Sequence, residues 1–331
     1  MLRLLRRRQR EREHGAETLD LFYASDVHGS ERCWRKFLGA GRFYGAQAVI
    51  MGGDITGKAI VPVACDADGR FSARFLGEER TGSGDRELEE LLDAIRFNGM
   101  YPWVATPGEV ERYTRDGAAR EALFERIMLD ELRRWIELAD ERARDTGIAT
   151  YVMAGNDDPW SCDAVLEQAS VVRPCDGRIL LVGTHELLSS SYANPTPWNS
   201  PRELEEDALY AKLKALAEQL ERPETSIFNL HVPPYDTGLD TANELNPDLT
   251  LRYVGGSPHP IPVGSHAVRQ LLEEYQPLLA LHGHIHESKG EVRIGRTLAL
   301  NPGSEYNSGH IHGVLIRLGE TDVLRHQFVV G

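Results

Sequence analysis

The chain has 331 residues, 41% hydrophobic and 27% charged, which is the composition of an ordinary globular protein with material for a sizeable core. Its formal net charge of −14 argues against a nucleic-acid polymer as the main partner, because such partners bind basic surfaces. No apolar run approaches the roughly 20 residues that cross a bilayer. These features exclude no oligomeric state, and they favour a protein without a membrane span.

The cysteines and the first residues bear on location. The four cysteines show no C-x-x-C spacing, which indicates neither a disulfide framework nor a structural zinc site: Cys33, Cys65, Cys162 and Cys175. Because free thiols fit a reducing compartment, we expect a cytoplasmic protein. Residues 1–17 are basic but lack the apolar stretch of a secretory signal. We therefore expect a poorly ordered tail, followed by a single domain over residues 18–331.

The domain is predicted to begin as an α/β sheet. A short apolar strand over residues 19–24 is followed by the loop S-D-V-H-G-S, and a second strand over residues 46–51 leads into G-G-D-I-T-G-K. Ser30 is placed to cap the helix between them. That helix has one apolar face: Cys33, Trp34, Phe37 and Leu38. Strand, loop, helix and strand in this order are typical of an α/β protein.

The pattern changes after Lys58. A hairpin is predicted over residues 59–76 around D-A-D-G, and a helix that follows it ends at Asn98-Gly99. We expect residues 59–105 to be an insertion into the sheet domain. Because this segment carries no ligand candidates, we expect it to shape substrate access or to mediate self-association.

Two capping boxes are predicted further along the chain. Thr106-Pro107-Gly108-Glu109 opens a helical segment that continues to about Arg144 and is ended by Gly147. Ser200-Pro201-Arg202-Glu203 has the same form and predicts a helix that Pro223 stops.

Potential metal ligands follow five of the predicted strands, at the point where each strand ends. The set is Asp26, His28, Asp54, Asn156, His231, His284 and His286. In open α/β sheets this edge is where ligands bind. His284 and His286 are two positions apart, so in an extended chain both imidazoles face the same way. The spacing therefore predicts that the donors converge.

The donor types suggest the metal. Nitrogen and oxygen donors without a thiolate suit manganese, iron or zinc better than calcium or a structural zinc. Seven donors exceed what one ion takes, so the economical arrangement is two divalent transition-metal ions that share a carboxylate. Paired ions of this kind promote phosphoester hydrolysis.

The motif order D-x-H, G-G-D, G-N-x-D, H-x-P-P and G-H-x-H resembles the calcineurin-like metallophosphoesterase superfamily over residues 19–305, apart from the insertion. The resemblance implies an α/β fold in which two mixed β-sheets pack as a sandwich flanked by helices. It implies the following ligand sets: Asp26, His28 and His286 on one ion, Asn156, His231 and His284 on the other, and Asp54 bridging. It also implies that a metal-bridging hydroxide attacks phosphorus, with Asn156 helping to stabilise the charge that develops.

The sequence departs from the family in two places. The protein-phosphatase branch has an arginine shortly after its second motif, where this chain has G-G-D-I-T-G-K, so that branch is disfavoured. The family's usual G-N-H-[DE] carries a histidine that is the proposed proton donor, whereas this chain reads Gly155-Asn156-Asp157-Asp158. The catalytic candidates are therefore Asn156, Asp157 and Asp158. Two nearby dications favour the carboxylate form of Asp157, which would not protonate a leaving group and would repel a dianionic monoester. The alternative is that a proton shared with Asp158, or deep burial, raises the pKa of Asp157 enough for it to act as an acid.

The predicted function is a dinuclear metal-dependent hydrolase of small phosphoesters that favours phosphodiesters. A phosphomonoesterase or nucleotidase of the same fold is the first alternative. A catalytically weak relative that serves as a protein-binding scaffold is disfavoured, because all seven donors are present. A hydrolase of another bond type, such as an amide, is also disfavoured, because such sites more often open with H-x-H than with D-x-H.

Overall fold

The computed structural model describes residues 18–331, so the basic tail predicted over residues 1–17 lies outside the described residues. The strands are β1 Leu19–Ala24, β2 Ala48–Met51, β3 Ile60–Cys65, β4 Arg70–Phe75, β5 Glu78–Ser83, β6 Tyr101–Ala105, β7 Ala149–Val152, β8 Arg173–Pro174, β9 Ile179–Val182, β10 His185–Ser190, β11 Ile227–Leu230, β12 Thr241–Asn243, β13 Tyr253–Val254, β14 Ser257–Pro258, β15 Pro260–Pro262, β16 Leu279–Leu281, β17 Gly290–Ile294, β18 Thr297–Asn301, β19 His312–Leu318 and β20 Val323–Val330. The α-helices are α1 Glu31–Tyr44, α2 Asp85–Phe97, α3 Pro107–Arg115, α4 Gly117–Thr146, α5 Ser161–Leu166, α6 Glu206–Ala217 and α7 His266–Tyr275. Within residues 18–331, no helix combines the length and the apolar character needed to cross a membrane.

Two six-stranded mixed sheets form the body of the molecule. The first has the order β20-β19-β1-β2-β7-β8, and the second has the order β17-β18-β16-β11-β10-β9. In the first sheet β1, β2, β7 and β8 are parallel, and in the second β18, β16, β11 and β10 are parallel. The predicted fold class is confirmed, because both sheets contain parallel and antiparallel strands, which alternate with helices along the chain. The parallel strands of both sheets end at a common edge, where ligands can bind.

The two sheets pack face to face through alternate side chains of their strands. Leu21 and Ile50 of the first sheet share one core cluster with Leu281 and Leu300 of the second, and all four are at most 1% exposed. Helices α1, α4 and α5 cover the outer face of the first sheet, while α6 and α7 cover that of the second. The sandwich flanked by helices is therefore as the sequence predicts.

Residues 60–105 form a smaller unit with its own sheet. Its strand order is β5-β4-β3-β6, and α2 packs on this sheet through a separate apolar cluster that includes Val63, Phe71 and Ile95. The predicted hairpin is present as the antiparallel pair of β3 and β4. The predicted helix ends at Phe97, with Asn98 as its C-cap.

Three glycines join this smaller unit to the body of the molecule. A Cβ atom on Gly29 would lie 2.6 Å from Cα of Gly57 and 2.7 Å from the carbonyl oxygen of Gly99. Backbone therefore packs directly on backbone where the loops after β1 and β2 meet the segment before β6. The amide of Gly57 also donates a hydrogen bond to the Tyr101 hydroxyl at 2.7 Å. The inserted unit is consequently fixed to the two loops that carry the first predicted ligands.

One predicted capping box is confirmed and the other is wrong. Thr106 and Glu109 exchange the expected reciprocal hydrogen bonds at the start of α3. The segment from Ser200 instead stays non-helical until α6 begins at Glu206, and Glu203 accepts the backbone N–H of Ser200 without forming a helix. The reason is long-range: the Ser200 hydroxyl and the Arg202 guanidinium are both bound to the loop that follows β7.

Leu300 tests the packing of the sandwich, because its side chain fills the layer between the sheets. We expect Leu300→Ala to lower the free energy of unfolding by about 2–5 kcal/mol, since the cavity cannot collapse between two rigid sheets. Urea denaturation monitored by circular dichroism measures the loss. Leu324→Ala is the matched control, because Leu324 is 53% exposed and its truncation should change stability by less than about 0.5 kcal/mol. Equal effects of the two changes would contradict the layered packing.

Candidate metal centre

The structure brings all seven predicted donors together at one edge of the sandwich. Asp26 and His28 follow β1, Asp54 follows β2 and Asn156 follows β7, so the first sheet supplies four of them. The second sheet supplies the three histidines: His231 after β11, and His284 and His286 after β16. The donors therefore meet where the carboxyl ends of both sets of parallel strands converge.

The first cluster consists of Asp26, His28 and His286, whose donor atoms all lie within 4.8 Å of one another. The Nε2 atoms of His28 and His286 are 3.1 Å apart, and Oδ1 of Asp26 lies 3.5 Å from Nε2 of His286. The backbone N–H of His284 donates to both carboxylate oxygens of Asp26 at 3.1 Å, which fixes the orientation of that carboxylate.

The second cluster consists of Asp54, His231 and His284, within the same limit of 4.8 Å. Nδ1 of His231 donates to the carbonyl of Gly52 at 2.8 Å, so Nε2 is the nitrogen that faces the site. Nε2 lies 3.0 Å from Oδ1 of Asn156 and 3.4 Å from Oδ1 of Asp54. The lone pair of Nε2 would repel the lone pairs of these two oxygens. A proton on Nε2 or a metal ion between the three atoms removes that repulsion.

The donor set fits divalent metal ions. When each donor is about 2.0–2.2 Å from one ion, neighbouring donor atoms are about 3–3.5 Å apart. The donor–donor distances are 3.1 and 3.5 Å in the first cluster and 3.0 and 3.4 Å around His231. Asp54 contacts the two clusters with different oxygens, because its Oδ2 is 3.5 Å from Nε2 of His28 while its Oδ1 faces His231. This arrangement is compatible with the bridging role that the resemblance implies for Asp54.

The backbone is strained where it presents these ligands. Among residues 18–331, nine non-glycine residues have positive φ angles, and four of them are predicted ligands: Asp26 at 57°, His28 at 38°, Asp54 at 49° and His284 at 66°. Asp, Asn and His are the residue types that tolerate this region best, but it remains costly. Strain of this kind persists only where the surrounding structure enforces it, and it is concentrated at functional sites.

The ionisation of the cluster follows from burial and close charges. Burial alone opposes the charged forms, but the hydrogen bond and charge of His286 hold the pKa of Asp26 well below its usual range. Burial raises the pKa of Asp54 to about 6. Burial opposes a charged His231, but the charge of Asp54 overcomes it and raises the pKa of His231 to about 10, whereas burial lowers the pKa of His284 to about 3. A proton on His231 therefore balances the nearby carboxylates, as a cation at the same place would.

Asp157 borders both clusters, because its carboxylate forms a third potential metal-binding group with His28 and Asp54, whose donor atoms all lie within 4.8 Å of one another. Oδ2 is ion-paired with the ammonium of Lys58, and Oδ1 accepts the Ser200 hydroxyl at 2.7 Å. Oδ1 also accepts from Nδ2 of Asn156 at 3.3 Å. Burial opposes ionisation, but the Lys58 and Ser200 hydrogen bonds lower the pKa of Asp157 to about 2. Asp157 is therefore a carboxylate throughout the neutral range.

Asp158 has a different environment, although it is the next residue. It is 1% exposed, and its carboxylate accepts the backbone N–H groups of Ile55, Thr56 and Gly155 at 2.7–3.0 Å and the Thr56 hydroxyl at 2.6 Å. All of these donors belong to the loops after β2 and β7. The geometry points to a positioning role, in which Asp158 holds the two loops together and has no oxygen left for substrate.

Three residues at the site carry no motif signal. Lys58 and Ser200 contact Asp157, and Arg202, which is 0% exposed, donates to the carbonyl of Asp158 at 2.9 Å. The sequence places Lys58 directly after G-G-D-I-T-G, and that proximity to a ligand loop is the available signal. Ser200 and Arg202 have the pattern of a capping box in sequence, so nothing local indicates their contact with the loop after β7.

A sandwich of two mixed sheets with aspartate and histidine clusters at one edge defines the metallophosphoesterase class. The family model for calcineurin-like phosphoesterases matches residues 21–288, and the chain belongs to that family. The aspartate and histidine clusters at the sheet edge are compatible with the pair of divalent metal ions that this family implies.

Individual relatives are distant. An uncharacterized protein of Methanocaldococcus jannaschii is 29% identical over 150 residues, which is 44% of this chain and 61% of that protein, less than two thirds of its length. The solved structure of TT1561 from Thermus thermophilus has a TM-score of 0.51 and 14% identity, and the match covers 92% of this chain and 99% of that one. At this identity the second likeness shows the fold alone.

The buried carboxylate of Asp158 can be tested by its effect on stability. Asp158→Ala leaves buried N–H donors on two loops without acceptors, so we expect a loss of about 2–4 kcal/mol in the free energy of unfolding. Chemical denaturation in the presence of a chelator measures the loss without any contribution from metal. The control is Asp130→Ala on the exposed face of α4, for which we expect a change within about 0.5 kcal/mol. Unchanged stability of the Asp158 variant would show that these hydrogen bonds do not hold the loops.

Proposed function

We propose that the protein hydrolyses small phosphoesters with two divalent transition-metal ions, manganese, iron or zinc, and that it favours phosphodiesters. The observation that supports the dinuclear site is the placement of Asp54, which offers one oxygen to each donor cluster. Asp26, His28 and His286 would hold one ion, and Asn156, His231 and His284 the other. The buried free thiols of Cys33, Cys162 and Cys175 are consistent with a cytoplasmic location.

When bound, such ions supply a nucleophilic hydroxide near neutral pH and attract the oxygens of the substrate. The protein's own residues orient and balance that chemistry. Asn156 Oδ1 faces His231, while its Nδ2 points toward Asp157 and can donate to an anionic oxygen nearby. Gly52 fixes the tautomer of His231, and the N–H of His284 fixes Asp26.

The preference for diesters is supported by the charge around the substrate position. Two dications, the carboxylates of Asp26, Asp54, Asp157 and Asp158, and the Lys58 ammonium together carry a net charge of one positive unit. A hydroxide nucleophile reduces this to zero, which favours a monoanionic diester over a dianionic monoester. The ion pair with Lys58 weakens the repulsion between Asp157 and a dianionic monoester that the sequence alone predicts. The preference for diesters therefore depends on the net charge of the whole site and not on Asp157 alone.

The preference for diesters is also supported by the lack of a proton donor to the leaving group at Asp157 and Asp158. A general acid must hold a proton at working pH, and Asp157 with a pKa of about 2 does not. Its neighbour Asp158 is committed to the loop amides. The proposed enzyme therefore favours esters whose leaving groups depart without a proton.

Metal analysis tests the ligand roles. We expect Asp54→Ala to abolish phosphoester hydrolysis and to lose metal from both clusters, because it removes the carboxylate whose two oxygens face different clusters. His28→Ala should mainly empty one cluster and retain about one equivalent. Elemental analysis after purification with manganese measures this, with Asp130→Ala as the control that retains the wild-type content. Two equivalents of metal in the Asp54 variant would contradict the bridging role.

The role of Asp157 is tested by hydrolysis of a panel of phosphomonoesters and phosphodiesters with different leaving groups. We expect Asp157→Asn to keep diester activity within about tenfold of wild type, because no proton transfer is removed. Asp157→His should improve the rate with poor leaving groups, since an imidazolium can donate a proton near neutral pH.

The pH dependence of hydrolysis shows whether Asp157 is ionised or acts as the general acid. An acid limb in the wild-type profile should persist in Asp157→Asn, because burial is outweighed by Lys58 and Ser200, which lower the pKa of Asp157 to about 2, below the range of the profile. A loss of about a hundredfold or more, with the dependence on a protonated group disappearing, would identify Asp157 as the general acid. A faster reaction on monoesters than on diesters would favour the phosphomonoesterase alternative.

A further inference from the structure

A lysine ammonium stands at the mouth of the metal centre. Lys58 contacts Oδ2 of Asp157, and its side chain is still 54% exposed. Its ion-pair partner Asp157 offers a carboxylate oxygen within 4.8 Å of donor atoms of His28 and Asp54, so the ammonium lies beside both clusters. The centroid of the Tyr306 ring lies 4.8 Å from that of His28. The side chains of Lys58, Asp157 and His286 are 54%, 25% and 29% exposed, whereas His28 and Asp54 are buried. The ammonium therefore lies on the solvent-accessible side of the site.

The backbone that carries Lys58 is held at three consecutive amides. The N–H groups of Ile55 and Thr56 donate to the buried carboxylate of Asp158, and the N–H of Gly57 donates to the hydroxyl of buried Tyr101. The backbone of Gly57 also packs against the carbonyl of Gly99 with no intervening side chain. A flexible side chain thus begins from a fixed point, which reduces the entropy lost when its ammonium binds a ligand.

The ion pair with Asp157 leaves N–H donors of the Lys58 ammonium available for a ligand. An ammonium has three N–H donors, and within residues 18–331 the contact of Lys58 is with one oxygen of Asp157. A half-exposed pair of this kind contributes little to folding stability. Asp157 has a second support in the Ser200 hydroxyl, so it does not depend on Lys58 alone for its orientation.

We propose that Lys58 is a substrate-binding residue that donates hydrogen bonds to a non-bridging oxygen of the phosphoester while one of its N–H groups stays on Asp157. The inference rests on the proposed function and extends it, because it assigns the recognition of the phosphoryl group to a residue outside the metal ligands. It makes Asp157 a positioning residue, which keeps the ammonium beside the metal centre.

A double-mutant cycle separates this role from simple neutralisation of Asp157. The variants are Lys58→Met, Asp157→Asn and the double variant, and Lys214→Met is the matched control, because Lys214 pairs with Glu274 between α6 and α7. Two readouts apply to each manganese-loaded protein. One is the affinity for inorganic phosphate by calorimetry, and the other is KM and kcat for bis-nitrophenyl phosphate. Elemental analysis confirms equal metal content.

If Lys58 binds the phosphoryl group, Lys58→Met weakens phosphate affinity and raises KM by about tenfold or more, with a smaller change in kcat. The same loss persists in the Asp157→Asn background, because the contact with phosphate is removed in either case. Lys58→Arg recovers part of the affinity, and the control changes nothing. If Lys58 only neutralises Asp157, the double variant recovers wild-type affinity and the proposal is overturned.

Different results would overturn the proposed function and the role of Lys58. Phosphate binding that depends on Lys58 in a protein that hydrolyses no phosphoester would overturn the proposed function and leave Lys58 as an oxyanion-binding residue. Diester hydrolysis with unchanged KM and phosphate affinity in Lys58→Met would overturn the role of Lys58 and leave the proposed function in place.

Discussion

Mutual repulsion of carboxylates at a buried sheet edge is the constraint around which the rest of this structure is arranged. Asp26 and Asp54 are at most 2% exposed, and Asp157 lies beside them. Removing charges from water costs several kcal/mol each unless a counter-charge is close. The histidines, the lysine and the ordered amides around them supply positive charge or N–H dipoles that offset this repulsion.

The topology explains how so many polar groups can share one small volume. Parallel strands of two sheets end at the same edge, so each strand presents one or two side chains without competing for backbone hydrogen bonds. Hydrogen bonds between neighbouring strands pair the backbone groups of the strands. The loops after them can therefore adopt the positive φ angles seen at His28 and His284. The apolar layer between the sheets sets the positions of the strand ends from which those loops start.

The sequence predicts much of this because the relevant signals are local. Strand ends followed by Asp, Asn or His indicate the ligand edge, and the i, i+2 spacing of His284 and His286 indicates a common direction. The Thr106 capping box is equally local and forms as predicted. What the sequence could not predict depends on contacts between distant segments. Ser200 satisfies a capping pattern, yet its hydroxyl binds Asp157, which is 43 residues away in the chain.

The different uses of Asp157 and Asp158 show the same limit. Adjacent aspartates in one motif have identical intrinsic chemistry, and only the three-dimensional surroundings distinguish them. One meets an ammonium and a hydroxyl at the edge of the site, while the other meets a ring of backbone amides in the interior. A pattern of letters cannot separate these environments, because the amides come from loops whose positions are set by the two sheets.

The contact of Gly29, Gly57 and Gly99 has a mechanical consequence. Side chains usually form a compliant layer between two packed units, and rotamer changes absorb small displacements across that layer. At Gly99 that layer is missing, because its carbonyl lies against the backbone of both ligand loops. A displacement of Gly99 therefore acts directly on the neighbouring peptide groups of His28 and Gly57. The surface of the inserted unit is in this sense part of the metal site, although it contributes no donor atom to it.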